Sequence, residues 1–357
     1  MIENLIESKD YKYTIFDKYI CSQNIDRIKF YKNEEKNNRI KALSAGYHLN
    51  KETQKKTGGI FFFDISESKK LVPLESENIL LDYGILDIKF SKDNSLIFTA
   101  NSDYSYTIFN IKNNSQNKRY LIENNEEKLK ITNDVIEIDT KEEKIFLGAN
   151  DGQIFIEDLA TQKNILSIPN AHDYGIWSIY LFNENTFLSG GEDAQIKLWD
   201  IRSKEGNIEF NNKKSNNKSY QSSINYIGNL KCDLSNNILL TGSYDEKIIL
   251  FDIRNFPKEL KSIKTEHSVW DVKQSCINNQ NLLLMSSIYE GFNIWEIEHN
   301  DYNIKHVLRL PVTKNKDLLH GTIVYGIDIK NKDNNSIDIL SCSFYDNLMM
   351  YWNYSKI

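Results

Sequence analysis

The sequence predicts an all-β protein folded as a seven-bladed β-propeller. Two observations support this class: a unit of about 45 residues recurs seven times, and the segments within it alternate apolar and polar residues as half-buried strands do. The chain has 357 residues, of which 40% are hydrophobic and 12% aromatic. It is therefore long enough and apolar enough to build a large core.

Each unit ends in an apolar strand closed by an acidic or amide residue and one apolar residue. Seven such closures occur, at steps of 46, 48, 42, 52, 44 and 57 residues. They are Asp64-Ile65, Asn110-Ile111, Asp158-Leu159, Asp200-Ile201, Asp252-Ile253, Glu296-Ile297 and Asn353-Tyr354. This period is typical of propellers, in which each unit forms one blade and closure of the ring removes most exposed sheet edges.

A second marker sets the register of the last six units. A turn residue stands seven positions before each closing residue. These residues are Asp103, Asp151, Asp193, Asp245, Tyr289 and Asp346. Alternating strands follow the turns, as in QIKLWDI (195–201) and KIILFDI (247–253). Each unit is therefore predicted to contain a strand, a tight turn and a second strand.

The repeat predicts one propeller domain at 27–357, preceded by a segment at 1–26. Within that segment, residues 12–20 are expected to form the outer strand of the last blade and close the ring. The Asn-rich stretch 203–223 is predicted to be a loop projecting from a blade.

Composition and charge restrict the possible functions. A net charge of −6 and a pI of about 5.7 argue against nucleic-acid binding. No apolar run approaches the ~18 residues of a membrane span, and the N-terminus lacks the pattern of a secretory signal. The four cysteines are far apart, which fits free thiols in a reducing compartment, so the cytoplasm is the expected location.

Motifs of common catalytic and metal sites are absent from the sequence. It contains no GxSxG, HExxH, P-loop or GxGxxG pattern. The six histidines have no metal-ligand spacing, so neither a metal nor a cofactor is expected. On motifs alone the expected function is a binding scaffold, because a fold does not imply an activity.

The fourth and fifth units carry a recognisable signature. SGGEDAQIKLWDIR (189–202) and TGSYDEKIILFDIR (241–254) resemble the WD40 repeat. Proteins of that kind commonly build a buried hydrogen-bonded tetrad within a blade, and the resemblance places one at His172, Ser189, Asp193 and Trp199. The same order recurs at His320, Ser341, Asp346 and Trp352, and a partial copy at His267 and Trp295. A structural role for these histidines follows, since buried polar chains stabilise a fold only when every member has a partner.

One strand-start position recurs around the expected central channel. Aligning IWSI, VWDV, VYGI, ILDI, VIEI and SINY places six residues there: Trp177, Trp270, Tyr325, Leu86, Ile136 and Ile224. The aromatic members predict a cluster at the channel mouth, with core packing as the alternative. Carboxylates follow some of them, at Asp87, Asp271 and Glu137, and strand alternation points these away from the aromatics. Whether the carboxylates reach the channel or a blade interior is left open.

Several stretches together resemble one family of WD-repeat proteins. They are AHDYGIWSIYLF (171–182), TGSYDEKIILFDIRN (241–255), HGTIVYGIDI (320–329) and SCSFYDNLMMYW (341–352). The family is the diphthine methyl ester hydrolases of diphthamide biosynthesis, also called diphthine methyltransferases. The resemblance is concentrated in residues 171–352. EHSVWDVK (266–273) departs from the family, because Asp271 stands where a basic residue is usual.

The resemblance implies an enzyme that hydrolyses the methyl ester of methylated diphthine on elongation factor two, its protein substrate, giving diphthine and methanol. The trimethylammonium group of that substrate favours an aromatic cage through cation–π attraction. The candidate substrate-binding residues are Trp177, Trp270, Tyr325 and Tyr345, with Asp271 beside them. Ester hydrolysis also needs a base and donors to the oxyanion. The candidates are His320 as base, Asp346 as its orienting partner, His172 as a second base, and Tyr244 or Tyr345 as donor.

A noncatalytic interaction scaffold is the alternative function. WDIR (199–202) and FDIR (251–254) resemble the boxes of substrate receptors for cullin-RING ubiquitin ligases. Arg202 and Arg254 also suit packing between blades, so these boxes are weak support. A scaffold of this kind binds a protein partner through a few anchor residues and yields no product.

Overall fold

The structure is a computed structural model. It describes residues 11–32, 40–111, 115–121, 135–141, 144–161, 163–203, 208–211, 220–233, 235–288, 291–298, 301–310, 312 and 320–356. For 115–121, 135–141 and 208–211 only the backbone is described.

Seven antiparallel sheets form the seven blades of the predicted propeller, which confirms the fold class. The first strand, β1 (Tyr11–Ile20), belongs to the last blade. Blade one contains β2 (Asn24–Lys32), β3 (Ile40–Leu49), β4 (Lys56–Ile65) and β5 (Leu71–Pro73), with β6 (Ile79–Leu81) also paired to β4. Blade two contains β7 (Ile85–Phe90), β8 (Leu96–Asn101), β9 (Ser105–Asn110) and β10 (Ser115–Leu121).

The next three blades each contain four consecutive strands. Blade three contains β11 (Val135–Lys141), β12 (Lys144–Ala149), β13 (Ile154–Asp158) and β14 (Lys163–Ile168). Blade four contains β15 (Ile176–Leu181), β16 (Thr186–Gly191), β17 (Ile196–Asp200) and β18 (Ile208–Asn211). Blade five contains β19 (Ile224–Asn229), β20 (Ile238–Ser243), β21 (Lys247–Asp252) and β22 (Glu259–Lys264).

The last two blades complete the ring. Blade six contains β23 (Asp271–Ile277), β24 (Gln280–Ser287), β25 (Gly291–Ile297) and β26 (Ile304–Leu310). Blade seven contains β27 (Val324–Asp333), β28 (Ser336–Ser343), β29 (Leu348–Lys356) and, paired to β29, β1. Two short 3-10 helices, Glu75–Glu77 and Ile253–Asn255, connect strands in the described chain. No helix in the described ranges is long and apolar enough to cross a membrane.

The ring is closed by pairing between the two ends of the chain. β1 runs antiparallel to β29 from Tyr11↔Lys356 to Ile20↔Leu348, as the sequence predicts for residues 12–20. Just beyond β1, Asn24 Nδ2 donates to the Phe344 carbonyl at 2.8 Å and to Asn347 Oδ1 at 2.9 Å. The start of blade one is therefore bonded to the turn of blade seven.

The core lies between the blades. Seven clusters of buried apolar residues are described, and each is shared by two neighbouring blades. For example, Phe292 of blade six packs edge-on against Trp352 of blade seven, with ring centroids 4.7 Å apart. Burial of both faces of the sheets explains why apolar residues fill consecutive positions in strands such as β20.

Inner strands begin with a β-bulge in six of the seven blades. The register shifts place one extra residue at the start of each strand: Asp26, Leu86, Ile136, Trp177, Asn225 and Tyr325. The prediction of Ile224 at this position is wrong by one residue. Ile224 pairs with Ser243 in the way that Ile176 pairs with Gly191, so Asn225 is the bulged residue. A bulge interrupts strict alternation and re-aims the side chains that follow it.

The prediction of a loop at 203–223 is wrong for residues 208–211. β18 lies within that stretch and forms the outer edge of blade four by pairing with β17. Asn-rich composition is a weak signal there, because an outer strand needs little apolar sequence. Residues 204–207 and 212–219 lie outside the described residues.

Candidate functional site

Aromatic side chains from several blades meet at one end of the inner strands. The ring of Trp270 lies 5.3 Å from that of Trp177 and 4.9 Å from that of Tyr325, at interplanar angles of 62° and 69°. Tyr325 contacts Phe344 at 5.3 Å, and Phe344 contacts Tyr345 at 5.1 Å. We call Trp177, Trp270, Tyr325, Phe344 and Tyr345 the aromatic arc. The structure thus brings together all four predicted cage residues and links Tyr345 to the others through Phe344.

The arc adjoins a cavity of about 140 Å³ between the inner strands. Trp177 and Trp270 line it together with Asp271, so these three predicted substrate-binding residues share one space. Asp87 lines it as well. The carboxylates that follow the strand-start position therefore do not point away from the tryptophans, because the bulge in blade two and the strand start in blade six break the expected alternation. The side chain of Glu137 lies outside the described residues.

The remaining charged residues of the cavity wall are Arg27, Lys29, Lys89 and Lys273. Arg27 Nε lies 2.6 Å from Asp87 Oδ1, and Lys273 Nζ lies 2.8 Å from both carboxylate oxygens of Asp271. Burial raises the pKa of Asp271, but the nearby cations Lys273, Lys29 and Arg27 outweigh it and hold that pKa below its usual value. Asp271 is therefore ionised at neutral pH.

His320 lies in a buried chain of hydrogen bonds in blade seven. Trp352 Nε1 donates to Ser341 Oγ at 3.2 Å, and Ser341 Oγ lies 2.8 Å from His320 Nε2. His320 Nδ1 lies 2.7 Å from Ser343 Oγ, which in turn donates to the Asp346 carboxylate. Burial lowers the pKa of His320 to about 4, so the imidazole is neutral. Both ring nitrogens are engaged, and Ser343 connects His320 to Asp346.

His172 lies in the corresponding chain of blade four. Trp199 Nε1 donates to Ser189 Oγ at 2.8 Å, Ser189 Oγ lies 2.7 Å from His172 Nε2, and His172 Nδ1 lies 2.9 Å from Asp193 Oδ1. These are the four residues predicted to form a tetrad. In blade six, by contrast, Trp295 Nε1 has no hydrogen-bond partner within the described chain, and its ring stacks on His306 instead.

The other candidates lie at the surface. Tyr244 is 38% exposed in the turn of blade five, and Tyr345 is 62% exposed at the end of the arc. Arg202 and Arg254 pair with Asp200 and Asp252 of their own motifs, with 68% and 64% of their side chains exposed. Their predicted alternative role in packing between blades is therefore not supported.

Sequence reasoning missed Phe344, which is the centre of the arc on the blade-seven side. Its ring also contacts that of Tyr47 from blade one, at 5.1 Å. A signal was present in the sequence, since four residues separate Ser341 from Asp346 but three separate Ser189 from Asp193. The added residue in SFYD extends the turn and brings an aromatic ring to the channel mouth. Nothing comparable marks Arg27 in the sequence, because it stands in the first unit, which diverges from the other six by lacking the turn marker.

No group of three or more His, Cys, Asp or Glu side chains suited to a metal ion occurs within the described residues.

Comparisons with known proteins match the fold and the repeat. The WD40 family, described as "WD domain, G-beta repeat", matches residues 163–200. A chain in the crystal structure of the mitotic checkpoint complex superposes with a TM-score of 0.68 at 13% identity, covering 97% of this chain and 93% of that chain. The WD40 β-propeller domain of Doa1 superposes with a TM-score of 0.65 at 12% identity, covering 96% of each. Together these matches show a seven-bladed β-propeller fold that carries a WD40 repeat at residues 163–200.

Sequence relatives indicate which WD40 protein it resembles. The chain is 23% identical over 303 residues to a protein named diphthine methyltransferase homolog from Dictyostelium discoideum, covering 78% of each. It is 31% identical over 160 residues to the diphthine methyltransferase of Mus musculus, covering 42% of this chain and 31% of the mouse protein. These relatives confirm the resemblance to the diphthine methyltransferases. The alignment spans about a third of the mouse protein.

Proposed function

We propose that this protein acts in diphthamide biosynthesis by hydrolysing the methyl ester of methylated diphthine on elongation factor two. Two kinds of support converge on this activity. The relatives named diphthine methyltransferase point to a diphthine-modifying protein. The aromatic arc suits the quaternary ammonium group that such a substrate carries. The proposal places the protein in the cytoplasm, and its four cysteines are free thiols, as a reducing compartment requires.

The observation that carries the proposal is the arc itself. Trp177, Trp270 and Tyr325 meet at steep angles, so their rings form the walls of a corner rather than a flat stack. A trimethylammonium group in contact with such faces gains about 0.5–2 kcal/mol per contact, because the negative face of each ring attracts the cation. Burial raises the pKa of Tyr325, with a further contribution from Tyr345, so its ring stays neutral at physiological pH.

The reaction requires water to add to the ester carbonyl. The water oxygen bonds to the carbonyl carbon, the bond to the methoxy oxygen breaks, methanol leaves with one proton, and a carboxylate and a second proton remain. Asp271 is the ionised acceptor in the cavity beside Trp270, so we assign it the role of orienting that water. Its low pKa makes it a weak base, which suits a positioning role.

His320 with Asp346 is the competing assignment from the sequence, and His172 stands behind it. A neutral imidazole is the form that a general base needs, and burial gives His320 that form. Its Nε2, however, is already hydrogen-bonded to Ser341 Oγ in the chain described above. Tyr345 and Tyr244 remain the proposed hydroxyl donors to the oxyanion, with Tyr345 favoured because it belongs to the arc.

The first experiment is mass spectrometry of elongation factor two bearing methylated diphthine, before and after incubation with the purified protein. We expect loss of one methylene mass and release of methanol. Trp270→Leu should reduce turnover about tenfold by removing cation–π contacts. The double variant Arg202→Gln/Arg254→Gln is the matched control, because both side chains are exposed on blade motifs outside the cavity. Unchanged substrate with folded protein would reject the hydrolase and favour the interaction scaffold.

A further inference from the structure

The cavity beside the aromatic arc has an excess of positive charge. Its wall carries four cationic side chains and two anionic ones among the described residues. Lys231 and Asp328 also lie close enough to act on these groups. Because one is a cation and the other an anion, including both leaves the excess of positive charge unchanged. The whole chain, by contrast, has a net charge of −6. A half-buried excess of cations in an acidic protein favours an anionic ligand, because charges interact strongly where water is largely excluded.

We propose that Arg27, Lys29, Lys89 and Lys273 form a carboxylate subsite next to the arc. The cavity then binds a betaine, in which a quaternary ammonium and a carboxylate lie a few bonds apart. This inference rests on the proposed function, whose product is such a betaine. It adds that the cavity prefers the carboxylate of the product and the oxyanion of the intermediate over the uncharged ester group.

Contacts within the cavity support the subsite. Lys29 Nζ lies 3.8 Å from Asp328 Oδ1, and Lys273 is bonded to Asp271, so the lysines are held in place. Burial lowers the pKa of Lys29, Asp328 raises it, and the neighbouring Lys273 lowers it again, so Lys29 and Lys273 lie within range of each other's charge. A ligand carboxylate between them would relieve that repulsion.

The arrangement also orients the ligand. The cationic wall repels a quaternary ammonium group, while the ring faces of Trp177 and Trp270 attract it. Ammonium at the arc and carboxyl oxygens at the cationic wall is therefore the favoured orientation.

This orientation has a catalytic consequence. The ester is neutral at its carbonyl, whereas the tetrahedral intermediate carries an oxyanion. Cations on the wall therefore stabilise the intermediate more than the bound ester, which is the condition for lowering the barrier. The same charges favour the product carboxylate, so the enzyme should be inhibited by its own product.

The test uses small probes that need no turnover. We would titrate the full-length protein, by calorimetry, with 2-trimethylammoniobutyrate, its methyl ester and butyrate. The betaine should bind about tenfold more tightly than its ester, since it adds a charge-assisted contact. Lys273→Met should abolish that preference, because it removes a cation that the betaine carboxylate contacts and the ester does not. Lys305→Met, an exposed lysine on outer strand β26, is the matched control and should preserve it.

Each outcome bears on the subsite. Any of three results would overturn the subsite. The ester could bind as tightly as the betaine, neither the betaine nor its ester could bind, or the preference for the betaine could survive in Lys273→Met. Arg27→Gln provides a second variant in case Lys273→Met does not fold, and it should also reduce the preference. Betaine preference without hydrolysis of elongation factor two would retain the subsite and reject the proposed reaction, so the two proposals fail separately.

Discussion

Blades four and seven build the same chain of tryptophan, serine, histidine and aspartate but join its last two members differently. In blade four, His172 contacts Asp193 directly at 2.9 Å. In blade seven, Ser343 stands between His320 and Asp346. The turn of blade seven has one more residue, and Ser343 occupies the position that Gly191 holds in blade four.

The glycine explains the direct contact. A Cβ atom at Gly191 would lie 2.4 Å from His172 Nδ1 and 2.7 Å from Asp193 Oδ1, so a side chain there would separate the pair. Blade seven accepts a side chain at this point because its longer turn sets Asp346 further along the chain. The hydroxyl of Ser343 then fills the gap, and the extra residue brings an aromatic ring to the arc. One insertion thus changes both the buried chain and the channel mouth.

The largest effect is expected from removing either histidine. His172→Ala leaves Ser189 and Asp193 buried without their partner and should lower the free energy of unfolding by about 3 kcal/mol. His320→Ala should lower it by a similar amount. Urea denaturation measures both, with the exposed Tyr174→Ala as control. A His320→Ala protein of wild-type stability that has lost turnover would instead support the catalytic assignment of His320.

A smaller effect is expected from exchanging the residues that distinguish the two blades. Gly191→Ser forces His172 and Asp193 apart without the longer turn, and should destabilise the protein by about 2 kcal/mol. Ser343→Ala breaks the bridge in blade seven and should lower the free energy of unfolding by about 1 kcal/mol. Thermal and urea unfolding of the two variants test this. If the Gly191→Ser protein unfolds with the same free energy as the wild type, the direct contact between His172 and Asp193 is not needed for stability.

The smallest effect is expected from pH. Burial lowers the pKa of both histidines in the folded state, His320 to about 4, whereas an unfolded histidine titrates near its ordinary value of about 6.5. The unfolded chain therefore binds more protons between these values, and stability falls as pH drops through this window. Acidification from about pH 7.5 to about pH 5.5 should remove about 1 kcal/mol through His320.

Stability measured across this range in wild type and His320→Gln provides the check. The variant should lose part of the acid dependence, while the contribution of His172 remains. An identical pH profile in both proteins would show that His320 is not the titrating group.

Much of the propeller was predictable because its signals are local. Closing residues such as Asp200 and turn residues such as Asp193 recur at fixed spacing, since each blade repeats the same strand and turn. The tetrad of blade four followed from the same repeat. Ile224 and the loop at 203–223 were misassigned because a bulge and an outer strand depend on pairing with neighbouring strands, which spacing alone does not report.

The candidate site was predictable in part. Trp177, Trp270 and Tyr325 were found because they occupy one repeated position, and the structure joins them. Arg27 and Phe344 were missed, because one lies in a divergent unit and the other in an irregular turn. The catalytic assignment of His320 and Asp346 stays a prediction, now set beside Asp271.

The sequence by itself determined the number of blades, the closing strand and the aromatic positions, because these follow from periodicity along the chain. Only the tertiary structure decided that Asp87, Asp271 and four cations share one cavity with two tryptophans. Those residues come from different blades, and ring closure brings them together. Their charges interact strongly because they lie close together in a partly dry space. A pattern along the chain does not show that proximity.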